Sequence, residues 1–142
     1  RAILQSIQQK NQSNIFDINQ VMPNKAFCIY NSFNLDPLWH ANEEVNRILI
    51  IEPNHFEQFP VTEKVLQFVI DLTITNIPGI QIFIGNYEDL SQHIQASIYF
   101  KEHPTTQHYQ GIREERDWLF PQVDNYFPSF FGYWKKCERY LK

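Results

Sequence analysis

The sequence predicts an α/β fold: a small, open, mainly parallel sheet with helices on both faces. Three observations predict it. Four short runs of β-branched and aromatic residues, 26–30, 47–52, 80–85 and 97–100, are almost continuously apolar. Strands covered on both faces need that pattern. Between the second and third runs, residues 61–76 set Val65, Leu66, Phe68, Val69 and Leu72 on one helical stripe. A weaker helical segment, 87–95, separates the third run from the fourth. Strand, helix, strand, helix, strand is the order of crossover units that build a parallel sheet.

Each element has its own local reason. Residues 1–25 are rich in Gln and Asn, with Ile3, Leu4 and Ile7 at helical spacing, and read as a short helical lead-in and linker closed by Pro23-Asn24. The domain proper is expected over 26–142. Its first strand runs into "NSFNLDPLWHANEE", where Asn31, Asn34 and Asp36-Pro37 signal turns. The helix over 61–76 starts at Thr62, a suitable N-cap. Glu63 suits the positive end of the helix dipole, and Pro78-Gly79 stops the helix. From Ser129 on, Phe130, Trp134, Cys137 and Leu141 recur at helical spacing and predict an aromatic C-terminal helix. More aromatics crowd that tail than one helix face can bury, so Phe127, Phe131 and Tyr133 are read as interface candidates.

The chain has 142 residues, enough for one domain that buries roughly 68–70% of its unfolded surface. Its two cysteines, Cys28 and Cys137, have no metal or redox spacing and read as small core residues, which suits a reducing, cytoplasmic setting. No apolar run approaches the ~20 residues of a membrane span. A chain that opens on Arg1 rather than Met reads as a piece of a longer polypeptide. Residues 26–100 hold two bases against nine acids, a formal charge of −7, and should repel nucleic acid. Any phosphate contact falls to Arg113, Arg116, Lys135, Lys136 and Arg139.

Ligands of open α/β sheets bind beyond the C-terminal strand ends, near the point where strand order reverses. The pocket candidates are therefore Asn31, Asn34, Asp36, Glu52, Gly85 and His103. The asparagines and Asp36 also suit ordinary turns, which is the favoured reading. Four glycines, with neither GxGxxG nor GxxxxGK[ST], argue against a phosphate-cradling loop. His103 and His108 lack a metal-ligand spacing, and no Ser, Cys or Lys stands in a nucleophile motif, so neither a metal nor a catalytic residue is assigned.

These residues resemble a known family. "FCIYNSFNLDP", "RILIIEP", "EKVLQFVIDL", "IQIFIGNYEDL" and "SIYFKEH" follow the order of the Rossmann-like α/β domain of DNA photolyases and cryptochromes. "NLDPLWH", "EPNHF", "KEHP" and "YFPSFFGYWKKCE" look like the α/β domain carried at the C-terminal end of certain bacterial photolyase-like FAD-binding proteins. The resemblance covers nearly everything after Pro23. It implies an accessory module of a flavoprotein that repairs pyrimidine dimers with light or signals blue light.

The resemblance further implies that FAD belongs to a helical domain of the parent chain and that DNA is reached only through that parent. It also implies room for an antenna chromophore, although no antenna position transfers by motif. Alone, the chain is expected to hold no FAD, to meet no membrane and to self-associate weakly. Where the family's first loop sets Asp-Leu-Arg-Leu, this chain has Ser32-Phe33-Asn34-Leu35. The loop is therefore expected to lack an arginine clasp and to rest on neutral hydrogen bonds. The alternative is a free-standing nucleotide-binding domain using Asn31, Glu52 and Gly85.

Overall fold

A computed structural model describes residues 2–115. Its centre is a five-stranded, all-parallel sheet of β1 (Phe27–Tyr30), β2 (Asn46–Ile51), β3 (Gln81–Ile84), β4 (Ile98–Lys101) and β5 (Ile112–Glu114), in the order β3-β2-β1-β4-β5. The helices are α1 (Ala2–Lys10), α2 (Pro53–Gln58), α3 (Glu63–Asn76) and α4 (Tyr87–Ser91). The predicted α/β class stands, with one strand more than the four apolar runs announced.

Strand alternation divides the core in two. Cys28 and Tyr30 of β1, with Leu49 and Ile51 of β2, face Leu66, Val69 and Ile70 of α3 and Ile7 of α1. Phe27 and Ile29, with Ile48 and Ile50, face Tyr87 and Leu90 of α4, together with Phe100 and Tyr109. Because successive side chains of a strand point to opposite faces, a strand between two helical layers must be apolar at every position. Each such large side chain contributes roughly 1.5–3 kcal/mol when fully buried.

The expected stripe on α3 is shifted. Val65, Leu66, Val69, Ile70 and Thr73 are buried, whereas Phe68 and Leu72 are half-buried. Thr73 enters the core because its hydroxyl donates to the Val69 carbonyl at 2.7 Å, which satisfies its polar group inside the helix. The start of α3 is as read: Thr62 Oγ1 accepts from the Val65 N–H at 3.2 Å. At its end Gly79 adopts φ 79°, a left-handed conformation that favours glycine.

The lead-in is built onto this domain. Ile7 is fully buried, Ser6 and Lys10 both bind Glu63 at the start of α3, and the Phe16 N–H donates to the Ile82 carbonyl at 2.8 Å along the outer edge of β3. Among the described residues, no helix is long and apolar enough to cross a membrane. The expected C-terminal helix, the interface candidates Phe127, Phe131 and Tyr133, and Cys137 lie outside the described residues.

Candidate functional site

Strand order reverses at β1, whose neighbours are β2 on one side and β4 on the other. The loops leaving β1, β2, β3 and β4 therefore gather at one edge of the sheet. They enclose a cleft of about 520 Å³. Leu49 and Ile51 of β2, with Leu66 and Val69 of α3, supply apolar lining. Further lining comes from Asn31 and Phe33 after β1, Glu52, His55 and Phe59 around α2, Asn86 and Glu88 at α4, and Thr105 and His108 after β4.

The loop after β1 closes on itself. Asn31 Oδ1 accepts from the Phe33 N–H at 2.9 Å, and the Asn34 N–H donates to the Asn31 carbonyl at 3.0 Å. Asn31 Nδ2 also donates to Thr105 Oγ1 at 3.3 Å, tying this loop to the one after β4. Asp36 Oδ1 accepts from the Leu38 N–H at 2.9 Å and caps a turn of its own. Asn31 and Asp36 thus serve turns, as Asx residues commonly do.

The remaining candidates are used differently. Glu52 accepts from the Tyr87 N–H at 3.0 Å and the Tyr109 hydroxyl at 3.1 Å, and lies 2.9 Å from His108 Nε2. It joins the end of β2 to α4 and to the chain before β5. Gly85 donates its N–H to the Ile51 carbonyl at 3.0 Å, and a Cβ there would meet the Phe83 ring at 2.7 Å, so ring packing explains the glycine. His103 stacks on Phe33 at 4.7 Å, and its Nδ1 accepts from the Thr105 N–H at 3.1 Å. Of the six candidates, Asn31 and Glu52 line the cleft; Asn34, Asp36, Gly85 and His103 stand outside its lining.

Sequence reasoning missed the aromatic rim. Phe33 and Phe59 are 42% and 61% exposed, with His55 5.6 Å from the first and 5.2 Å from the second. Burial lowers the His55 pKa, outweighing the upward pull of Glu52. The signal available in sequence was the Phe-rich spacing of "NHFEQF" directly after a strand end.

It also missed how the β1–β2 connection is held. Arg47 of β2 donates to the Tyr30 hydroxyl at 2.6 Å, to the Trp39 carbonyl at 2.8 Å and to the His40 carbonyl at 2.5 Å. His40, at φ 52°, has its Nδ1 on Glu43 and its Nε2 2.8 Å from Glu114 of β5, which also accepts from Trp39 Nε1 at 2.9 Å. Neutral hydrogen bonds hold residues 31–34, as expected, whereas further along the connection a guanidinium from the next strand and an imidazole between two carboxylates organise residues 39–43. An arginine can serve several carbonyls at once through its planar fork of donors, so its place in the sequence need not be inside the loop.

Among the described residues, the buried thiol is not an activated nucleophile. Burial pushes the Cys28 thiol up to about 12, against the pull of Arg47, which keeps it protonated and unreactive. Glu52 and His108 form a carboxylate–imidazole pair, but no serine or cysteine among the described residues completes it. No cluster of three or more metal-ligating side chains occurs among them either. No protein-family model, curated protein or solved structure matches the chain.

Proposed function

We propose that this chain is an accessory α/β domain of a photolyase- or cryptochrome-like flavoprotein, which docks against a helical FAD-binding domain and takes no catalytic step itself. One observation carries the reading. The segments that resemble the family arrive in order at one edge of a five-stranded parallel sheet: the Asn-Leu-Asp-Pro loop after β1, Glu52-Pro53 after β2, Gly85 after β3 and Lys101-Glu102-His103-Pro104 after β4. The family resemblance implies light-driven repair of pyrimidine dimers or blue-light signalling for the parent, with the excited flavin as electron donor. DNA and FAD are then matters for the parent chain, and an antenna chromophore for whichever surface the parent completes.

The alternative, a free-standing nucleotide-binding domain, is disfavoured by Glu52. An acid at the end of β2 suits a ribose hydroxyl. Here, however, its oxygens already serve Tyr87, Tyr109 and His108. The test is deletion of residues 26–142 from the longer polypeptide. The truncated protein should keep its flavin but melt at a lower temperature, because a docked face is uncovered. Loss of all flavin, or an unchanged melting temperature, contradicts an accessory docking role.

A further inference from the structure

The cleft at the strand ends has a chemistry that neither the family resemblance nor the proposed docking role assigns. Two phenylalanines at its mouth, Phe33 and Phe59, remain exposed. His55 lies between them, perpendicular to Phe33 at 88° and tilted 33° from Phe59, while Phe56 lies 5.0 Å away on the His55 side. His103 stacks on Phe33 with ring centres 4.7 Å apart. The result is a rim of π systems around an apolar lining.

The fixed charges on this lining have one sign, with two imidazoles beside them, His55 and His108, the latter 2.9 Å from Glu52. Glu52 and Glu88 line the cleft, and no lysine or arginine does. Asn31, Asn54, Gln58 and Asn86 add amides, and Asn86 Oδ1 is buried with no hydrogen-bond partner. Surrounding sequence reinforces the sign, since residues 26–100 carry a formal charge of −7. A phosphate group brought here meets carboxylates and neither lysine nor arginine. A cation is favoured three ways: by the carboxylate field, by the quadrupole of the aromatic rim and by the surplus of acceptors.

We propose that this cleft binds an organic cation: a protonated amine carried on a small, flat apolar body, with the body against Leu49, Ile51 and the Phe33–Phe59 rim and the ammonium toward Glu88 and the Asn86 amide oxygen. The inference rests on the cleft alone and is independent of the family reading.

The experiment uses three probes with one body and three charges: phenethylamine, 2-phenylethanol and phenylacetate, titrated calorimetrically into the full chain at neutral pH. The amine should bind about tenfold more tightly than the alcohol, and the acid most weakly of the three. Phe59→Ala removes an exposed ring and Glu88→Gln removes one carboxylate; each should weaken the amine several-fold and leave the alcohol nearly unchanged in the case of Glu88→Gln. Circular dichroism and the melting temperature establish that both variants fold, and Glu88→Gln, on an exposed residue, carries the comparison should Phe59→Ala unfold. Equal affinity for the three probes, or no amine binding at millimolar concentration, overturns the proposal. That failure leaves the docking role untouched, because the docking test reads flavin retention and melting in the longer polypeptide.

Discussion

Arg47 shows why a single residue can hold a long connection together. Tyr30 is fully buried, and its hydroxyl has the Arg47 guanidinium as partner; burial, partly offset by that cation, pushes the phenol up to about 12. Replacing Arg47 by Met keeps the apolar stem but leaves that hydroxyl and two carbonyls without their donor. Urea denaturation of Arg47→Met should show a loss of about 2–3 kcal/mol, the cost expected for orphaned buried polar groups. An unchanged midpoint would mean that water replaces the guanidinium at no cost. His40 adds a pH dependence. Burial acts to lower its pKa, but the carboxylates of Glu114 and Glu43 outweigh it, and the value rises above the ordinary 6.5. The folded state therefore binds the proton more tightly than the unfolded state. The stabilisation is complete below pH 6.5 and is lost as pH rises through the raised value. The stability difference between the native chain and His40→Gln should shrink as pH is raised from about 6 to about 9; a difference that grows over that range contradicts the assignment. Neither residue was legible beforehand. Arg47 stood inside an apolar run, where a base reads as an interruption, and the two partners of His40 lie three and 74 positions away.

Elements with strong periodicity were legible, and elements made by pairing were not. The helix α3 announced itself through Thr62, Glu63 and an apolar stripe, and its cap makes the predicted bond. Its exact buried face was less legible, since Ile70 and Thr73 are buried while Phe68 and Leu72 are half-buried. The strand β5 has the sequence Ile-Arg-Glu, which carries no apolar alternation; it exists because Tyr99, Phe100 and Lys101 of β4 offer a free ladder. Gly111, just before it, is where that strand is vulnerable. Its φ is 146°, and an added Cβ would lie 2.6 Å from the Ile98 carbonyl oxygen. Gly111→Ala should destabilise the chain by about 1–3 kcal/mol through backbone strain. Its protection loss in hydrogen exchange should be concentrated on β4 and β5. A variant as stable as the parent would show that the β4–β5 pairing tolerates a shift of that carbonyl.

At the scale of the molecule, class and strand order follow from apolar runs interrupted by helical stripes, whereas the cleft arises from loops that meet only after folding. Asn31 and Glu52 were placed at it by the general rule for strand ends. Phe33, Phe59 and Glu88 were not, since nothing local distinguishes a rim phenylalanine from a core one. Whole-chain charge makes a separate prediction. Fluorescence anisotropy with duplex DNA at physiological salt should show negligible affinity, and any residual binding should disappear when Lys135, Lys136 and Arg139 are replaced. Sub-micromolar binding that survives those three changes contradicts it.

The central proposal is that this domain belongs to a flavoprotein in which another domain of a longer polypeptide, and not this one, holds the flavin. The most direct measurement is the cofactor released on denaturing two purified proteins side by side, the longer polypeptide and the 142-residue chain, each after incubation with FAD and gel filtration. One equivalent of FAD from the longer polypeptide and none from the chain is the predicted result. A longer polypeptide without flavin, or a stoichiometric yellow complex formed by the chain alone, would contradict the account.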